Sequence, residues 1–89
     1  MRKLSVIEEI RDRFPDLEEE CVVMYGHDDA VVGIDAYKMV LIYSVAKFVE
    51  TFVERDGMTP DEAMEYFDYN YAGAYMGEHT PIWLDDFLE

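Results

Sequence analysis

One cysteine, Cys21, leaves no partner for an intramolecular disulfide and argues against a structural zinc site. Basic residues are scarce as well. Seven lysines and arginines stand against 21 aspartates and glutamates, a formal net charge of −14. A surface of that sign repels phosphate backbones and anionic membranes, so the chain is not expected to grip nucleic acid or lipid through its own charge. Arg2, Lys3, Arg11 and Arg13 come closest to a basic patch, but Glu8, Glu9 and Asp12 dilute them. No apolar run approaches the roughly 20 residues that span a bilayer. The opening Met1-Arg2-Lys3-Leu4-Ser5 runs into Glu8 and Glu9 without the apolar middle of a secretory leader, so the cytoplasm is the expected compartment. Internal repeats, linkers and low-complexity tracts are absent, and so is any complete catalytic, metal or nucleotide motif.

What is present suffices for a core. Hydrophobic residues make up 51% of the chain and aromatics 15%, so the charge does not imply disorder. Eighty-nine residues make a single domain, 1–89, small enough that a homodimer would help it. Cys21 sits in an apolar run with acidic neighbours, which reads as a small buried hydrophobe rather than a reactive thiol.

Ser5-Val6-Ile7-Glu8 has the form of a capping box, and Val6, Ile7, Ile10 and Phe14 follow at helical spacing until Pro15 stops the helix. Asp16 to Glu19 caps one further short turn. Cys21 to Tyr25 reads as a strand, Gly26 to Asp29 as a turn, and Ala30 to Ile34 as the returning strand of a hairpin, with Gly33 marking a bulge or a close backbone approach. Met39 to Tyr43 is apolar at every position. A fully buried strand followed by a helix capped at Ser44 is preferred there over one helix from Asp35 to Glu54. Val45, Phe48, Val49, Phe52 and Val53 then form one helical stripe. Gly57 ends that helix, and Thr59-Pro60-Asp61-Glu62 starts the next with a cap, a proline and a glutamate in register. Ala63, Met64, Phe67 and Tyr71 face inward, Gly73 or Gly77 ends the helix, and Thr80 to Leu84 is a last extended segment. The expected class is α+β: a small, mostly antiparallel sheet packed by about three helices.

Three segments of the C-terminal half share a recognisable pattern. They are Arg55-Asp56-Gly57-Met58-Thr59-Pro60-Asp61-Glu62-Ala63, Tyr66-Phe67-Asp68-Tyr69-Asn70, and Gly73-Ala74-Tyr75-Met76-Gly77-Glu78-His79-Thr80-Pro81. Together with the turn Gly26-His27-Asp28-Asp29-Ala30, this resembles a family of small uncharacterised proteins of prokaryotes and their phages. The resemblance covers roughly Tyr25 to Trp83 and is weakest between Ile34 and Lys47. It implies one compact domain and a prokaryotic or phage origin. It supplies no activity, and therefore no residue with an assigned role.

Candidate sites follow from residue types. His27-Asp28-Asp29 and Glu78-His79 could together supply imidazole and carboxylate for a metal or for acid–base work if the fold joined them; otherwise they are a turn with solvated acids plus a histidine in a loop. No catalytic residue, metal ligand or cofactor is assigned. Asn70, Gly73, Gly77, Glu78, His79 and Thr80 form a polar, glycine-rich cluster where a ligand could bind, although local capping explains the same residues. Tyr66, Tyr69, Tyr71, Tyr75 and Trp83 are candidate interface anchors, since one helical face cannot bury them all. Asp61, Glu65 and Asp68 fall at i, i+4, i+7, with side chains about 5–6 Å apart. That spacing is close to the separation of phosphates along a nucleic-acid strand. The expected partner-binding set is Asp61, Glu65, Asp68, Tyr69 and Tyr75. The leading expectation is a non-enzymatic protein binding a basic protein partner, in the form of a phage-type nucleic-acid mimic that blocks a host nuclease or DNA-binding defence complex. A small-molecule or nucleotide binder using Asn70 to Thr80 (an enzyme among the possibilities) comes second, and an acidic antitoxin third.

Overall fold

Ser5 begins the first element: its Oγ accepts the Glu8 backbone N–H at 3.3 Å and donates to the Glu8 carboxylate at 3.1 Å. Helix α1 (Val6–Arg13) follows and ends at Phe14, ahead of Pro15. A single turn, α2 (Leu17–Glu20), comes next. The computed structural model describes residues 5–24, 26–74 and 77–86. Within them the chain continues through a short 3-10 turn (Asp28–Ala30), strands β1 (Val31–Asp35) and β2 (Val40–Ser44), and helices α3 (Val45–Asp56) and α4 (Pro60–Phe67). A π-helical turn (Asp68–Ala72) and strand β3 (Ile82–Leu84) complete it.

The sheet has the order β1-β2-β3, antiparallel between β1 and β2 and parallel over the shorter β2–β3 pairing. The α+β class holds. The run expected as a strand over Met39 to Tyr43 forms β2 at Val40–Ser44, with Met39 left in the preceding turn at φ 56°, and Ser44 caps α3, accepting the Lys47 N–H at 3.1 Å; a single helix through Asp35–Glu54 does not form. Strand β2 is central, and Val40, Leu41, Tyr43 and Ser44 are all buried, which explains its unbroken apolar run. Register slips between Val31 and Gly33, the bulge that Gly33 signalled. A Cβ on Gly33 would meet nothing within 4 Å, so the glycine marks a bulge and not a close approach.

The expected hairpin is corrected by one element. Cys21 to Met24 does not join the sheet, and β1 pairs with β2 instead. The segment is held by side chains: the Tyr43 hydroxyl oxygen accepts the Met24 N–H at 2.8 Å, and the Cys21 thiol donates to the Met39 carbonyl at 3.0 Å. Tyr25, the end of the expected strand, lies outside the described residues. The β1–β2 turn is organised by Asp35, whose carboxylate accepts the N–H groups of Tyr37 and Lys38, each at 2.8 Å.

Helix α1 packs on β1 and the 28–30 turn, and α3 packs on β2, that turn and α4. The helix-facing core centres on Phe48. Its ring meets Tyr43, Phe52, Phe67, Tyr71 and Trp83 at centroid distances of 5.0–5.9 Å, mostly edge to face. Trp83 and Tyr71, both half-buried, pack against this core. Gly57 ends α3 at φ 70°, a left-handed cap that a residue with a Cβ adopts only under strain. No helix among the described residues is long and apolar enough to cross a membrane.

Candidate functional site: the exposed flank of helix α4

Helix α4 is fixed at its start by a reciprocal box. Thr59 Oγ1 accepts the Glu62 N–H at 3.2 Å, and Glu62 Oε1 accepts the Thr59 N–H at 3.1 Å. The Thr59 backbone N–H foremost, and then the Thr59 hydroxyl, hold the Glu62 carboxyl below its ordinary range. Ala63 and Phe67 are buried, Met64 and Tyr71 half-buried, and all four face the core as their spacing requires. At 3.6 residues per turn the opposite side must carry Asp61, Glu65 and Asp68, and all three are exposed.

Beside that carboxylate row runs a shallow groove of about 470 Å³, lined by Met58, Glu62, Glu65, Tyr66, Tyr69 and Asn70. Four of these lie at i, i+3, i+4 and i+7 from Glu62, one stripe of the helix, and Glu65 belongs to both groove and row. Tyr66 is 40% exposed and rests edge-on against Phe52 at 4.9 Å, whereas Tyr69 is 90% exposed. The Asn70 side-chain amide donates to the Tyr66 carbonyl at 3.0 Å, a carbonyl inside the stretch where α4 loosens into its π turn. The row of acids and the outward tyrosines follow from the sequence. The groove does not, because its floor depends on where Met58 is placed by the α3–α4 turn. The stripe Glu62, Glu65, Tyr66, Tyr69 was the signal available for it. Tyr75 lies outside the described residues.

The expected ligand cluster is used locally where its bonds are seen. Besides the Asn70 bond, Thr80 Oγ1 donates to the Gly77 carbonyl at 2.6 Å. Gly73 caps the π turn at φ −103°, while Gly77 takes a left-handed φ of 97°. Glu78 and His79 are exposed.

His27 departs furthest from expectation. It is not a loop histidine in water: the residue is 9% exposed, and its ring is stacked on Phe48 at 3.7 Å with 9° between planes and edge-on to Phe52 at 5.4 Å. Its Nδ1 has no hydrogen-bond partner among the described residues. Burial first, and then the positive charge of Arg55, hold its pKa below the ordinary 6.5, against weaker opposing pulls from Asp56 and Asp28. Arg55 also closes the loop, donating from Nη2 to the Gly26 carbonyl at 2.6 Å. Gly26 sits at φ 84°, where a Cβ would come within 2.9 Å of the guanidinium. His27 thus faces the core while His79 faces outward. No group of three or more His, Cys, Asp or Glu placed to hold a metal occurs among the described residues.

No protein-family model, curated protein or solved structure matches this chain.

Proposed function

We propose that this chain is a non-enzymatic interaction protein that engages a basic protein partner through the exposed flank of α4. The form proposed is a nucleic-acid mimic that occupies the nucleic-acid channel of a nuclease or DNA-binding complex. The observation that carries the reading is the exposed row Asp61, Glu65 and Asp68, which runs along the reciprocally capped α4 to the first residue of its π turn, beside an outward Tyr69. Neighbours in such a row lie about 5–6 Å apart, near the pitch of phosphates on one strand. The net charge of −14 supplies the long-range attraction that steers a cationic partner toward it.

The test is capture of host nucleases and DNA-binding complexes from lysate at low and physiological salt, followed by competition with duplex DNA. The proposal expects a basic, nucleic-acid-binding partner that salt weakens and DNA displaces. A partner held equally at both salt strengths and indifferent to DNA would overturn it.

A further inference from the structure

We infer that the groove on α4 receives an arginine side chain of the basic partner. The inference rests on the reading above and adds to it which residue the partner inserts. The groove is more than a patch of acid. Its floor is apolar, made by the half-buried Met58 and by Tyr66, whose ring is fixed against Phe52 at 4.9 Å. It is also lined by the Glu65 and Glu62 carboxylates and by the Tyr69 ring, which is 90% exposed. None of the six lining residues is basic.

A flat aromatic surface beside carboxylate oxygens selects for a guanidinium. That group is planar and weakly hydrated, so it stacks on a tyrosine face while its forked N–H donors reach a carboxylate. An ammonium is a compact charge that keeps its water and gains less from the ring. The groove is open to solvent and so leaves much of a bound metabolite's surface uncovered, unlike the enclosed sites that hold small molecules. An arginine delivered from a protein surface closes the groove with its own surroundings, as interface anchors do. Tyr66 already packs on Phe52, so its ring loses little side-chain freedom on docking.

The test uses three ten-residue peptides that differ only at four positions, carrying arginine, lysine or the uncharged isostere citrulline. Each is titrated calorimetrically at low salt into the full chain, into Tyr69→Ala, and into an Asp61→Asn/Asp68→Asn variant that leaves the groove intact. The arginine peptide is expected to bind about two- to fivefold more tightly than the lysine peptide, with citrulline weakest. Tyr69→Ala, which leaves net charge unchanged, should weaken arginine binding by about the same factor and abolish the preference over lysine. The Asp61→Asn/Asp68→Asn variant should weaken arginine and lysine alike and keep the preference. Equal binding of arginine and lysine with no effect of Tyr69→Ala overturns the inference while leaving the acidic-face reading standing. Citrulline binding as well as arginine also overturns it. Failure of both charged peptides to bind overturns the inference together with the reading beneath it.

Discussion

His27 lies face to face with Phe48, their ring centroids 3.7 Å apart. The stack presses an ionisable group flat onto the most central ring of the core. Desolvation, seconded by Arg55, keeps that imidazole neutral below its ordinary pKa of 6.5. Between the lowered folded pKa and 6.5 the unfolded chain binds a proton that the folded chain resists. Stability is therefore full above about 6.5 and declines as the pH drops below it. A denaturant midpoint followed from pH 7.5 to 5.5 should fall, and His27→Phe, which keeps the stack, should flatten that limb. A flat wild-type profile would show that the ring is not held neutral.

Tyr43→Phe should destabilise by about 1–3 kcal/mol, because the Met24 N–H loses its acceptor in a part-buried place. Amide exchange at Met24 should accelerate more than exchange within β2. An unchanged midpoint would mean that water replaces the hydroxyl without penalty.

Thr59→Ala removes the acceptor for the Glu62 N–H and should cost about 0.5–2 kcal/mol, the range for losing such a cap. Thr59→Ser should restore most of it. Equal midpoints for the alanine variant and the wild type would place the helix start elsewhere.

Asp86 accepts from the Ser44 hydroxyl and, at 2.9 Å, from the Ala46 N–H, so it caps α3 a second time from the far end of the chain. The Ser44 hydroxyl foremost, then the Ala46 N–H, hold its carboxyl below the ordinary 3.8. Its contribution is thus present above about 3.8 and lost as the pH falls through the folded value. Asp86→Ala should cost about 1 kcal/mol at neutral pH and nothing near pH 2. Loss of the same size at both pH values would rule out the ionised cap.

Replacing Asp61, Glu65 and Asp68 together with Asn, Gln and Asn removes three exposed charges that contribute little to folding. The variant should remain folded. Its association with the basic partner should slow, and the salt dependence of the on-rate should shrink. Unchanged on-rate and salt dependence would reduce the row to a solvated face.

What was legible in the sequence is what neighbours decide. Ser5, Ser44 and Thr59 each bond the N–H of a residue three positions on, so the starts of α1, α3 and α4 could be read directly. The buried strand β2, the bulge at Gly33 and the outward acids of α4 likewise follow from short-range pattern. What escaped depends on distant partners. Met24 meets Tyr43 across 19 residues, and Ser44 meets Asp86 across 42. A β-branched run at 21–24 looked like a strand because nothing local reveals that a tyrosine hydroxyl, and not a ladder, would take its N–H. His27 looked like part of a polar turn for the same reason: Asp28 and Asp29 do face water, while the ring beside them turns inward onto α3.

The parallel pairing of β3 on β2 has a consequence for synthesis. Until residues 82–86 have left the ribosome, the central strand has a partner on one edge only. Ser44 at its end then lacks Asp86, and Tyr43 and Phe48 lack the Trp83 ring that packs on them. Contacts this far apart in sequence form late and govern the speed of folding. A nascent chain therefore carries its aromatic core partly uncovered until this segment emerges. Ribosome-bound chains stalled before and after this segment should differ sharply in protease resistance.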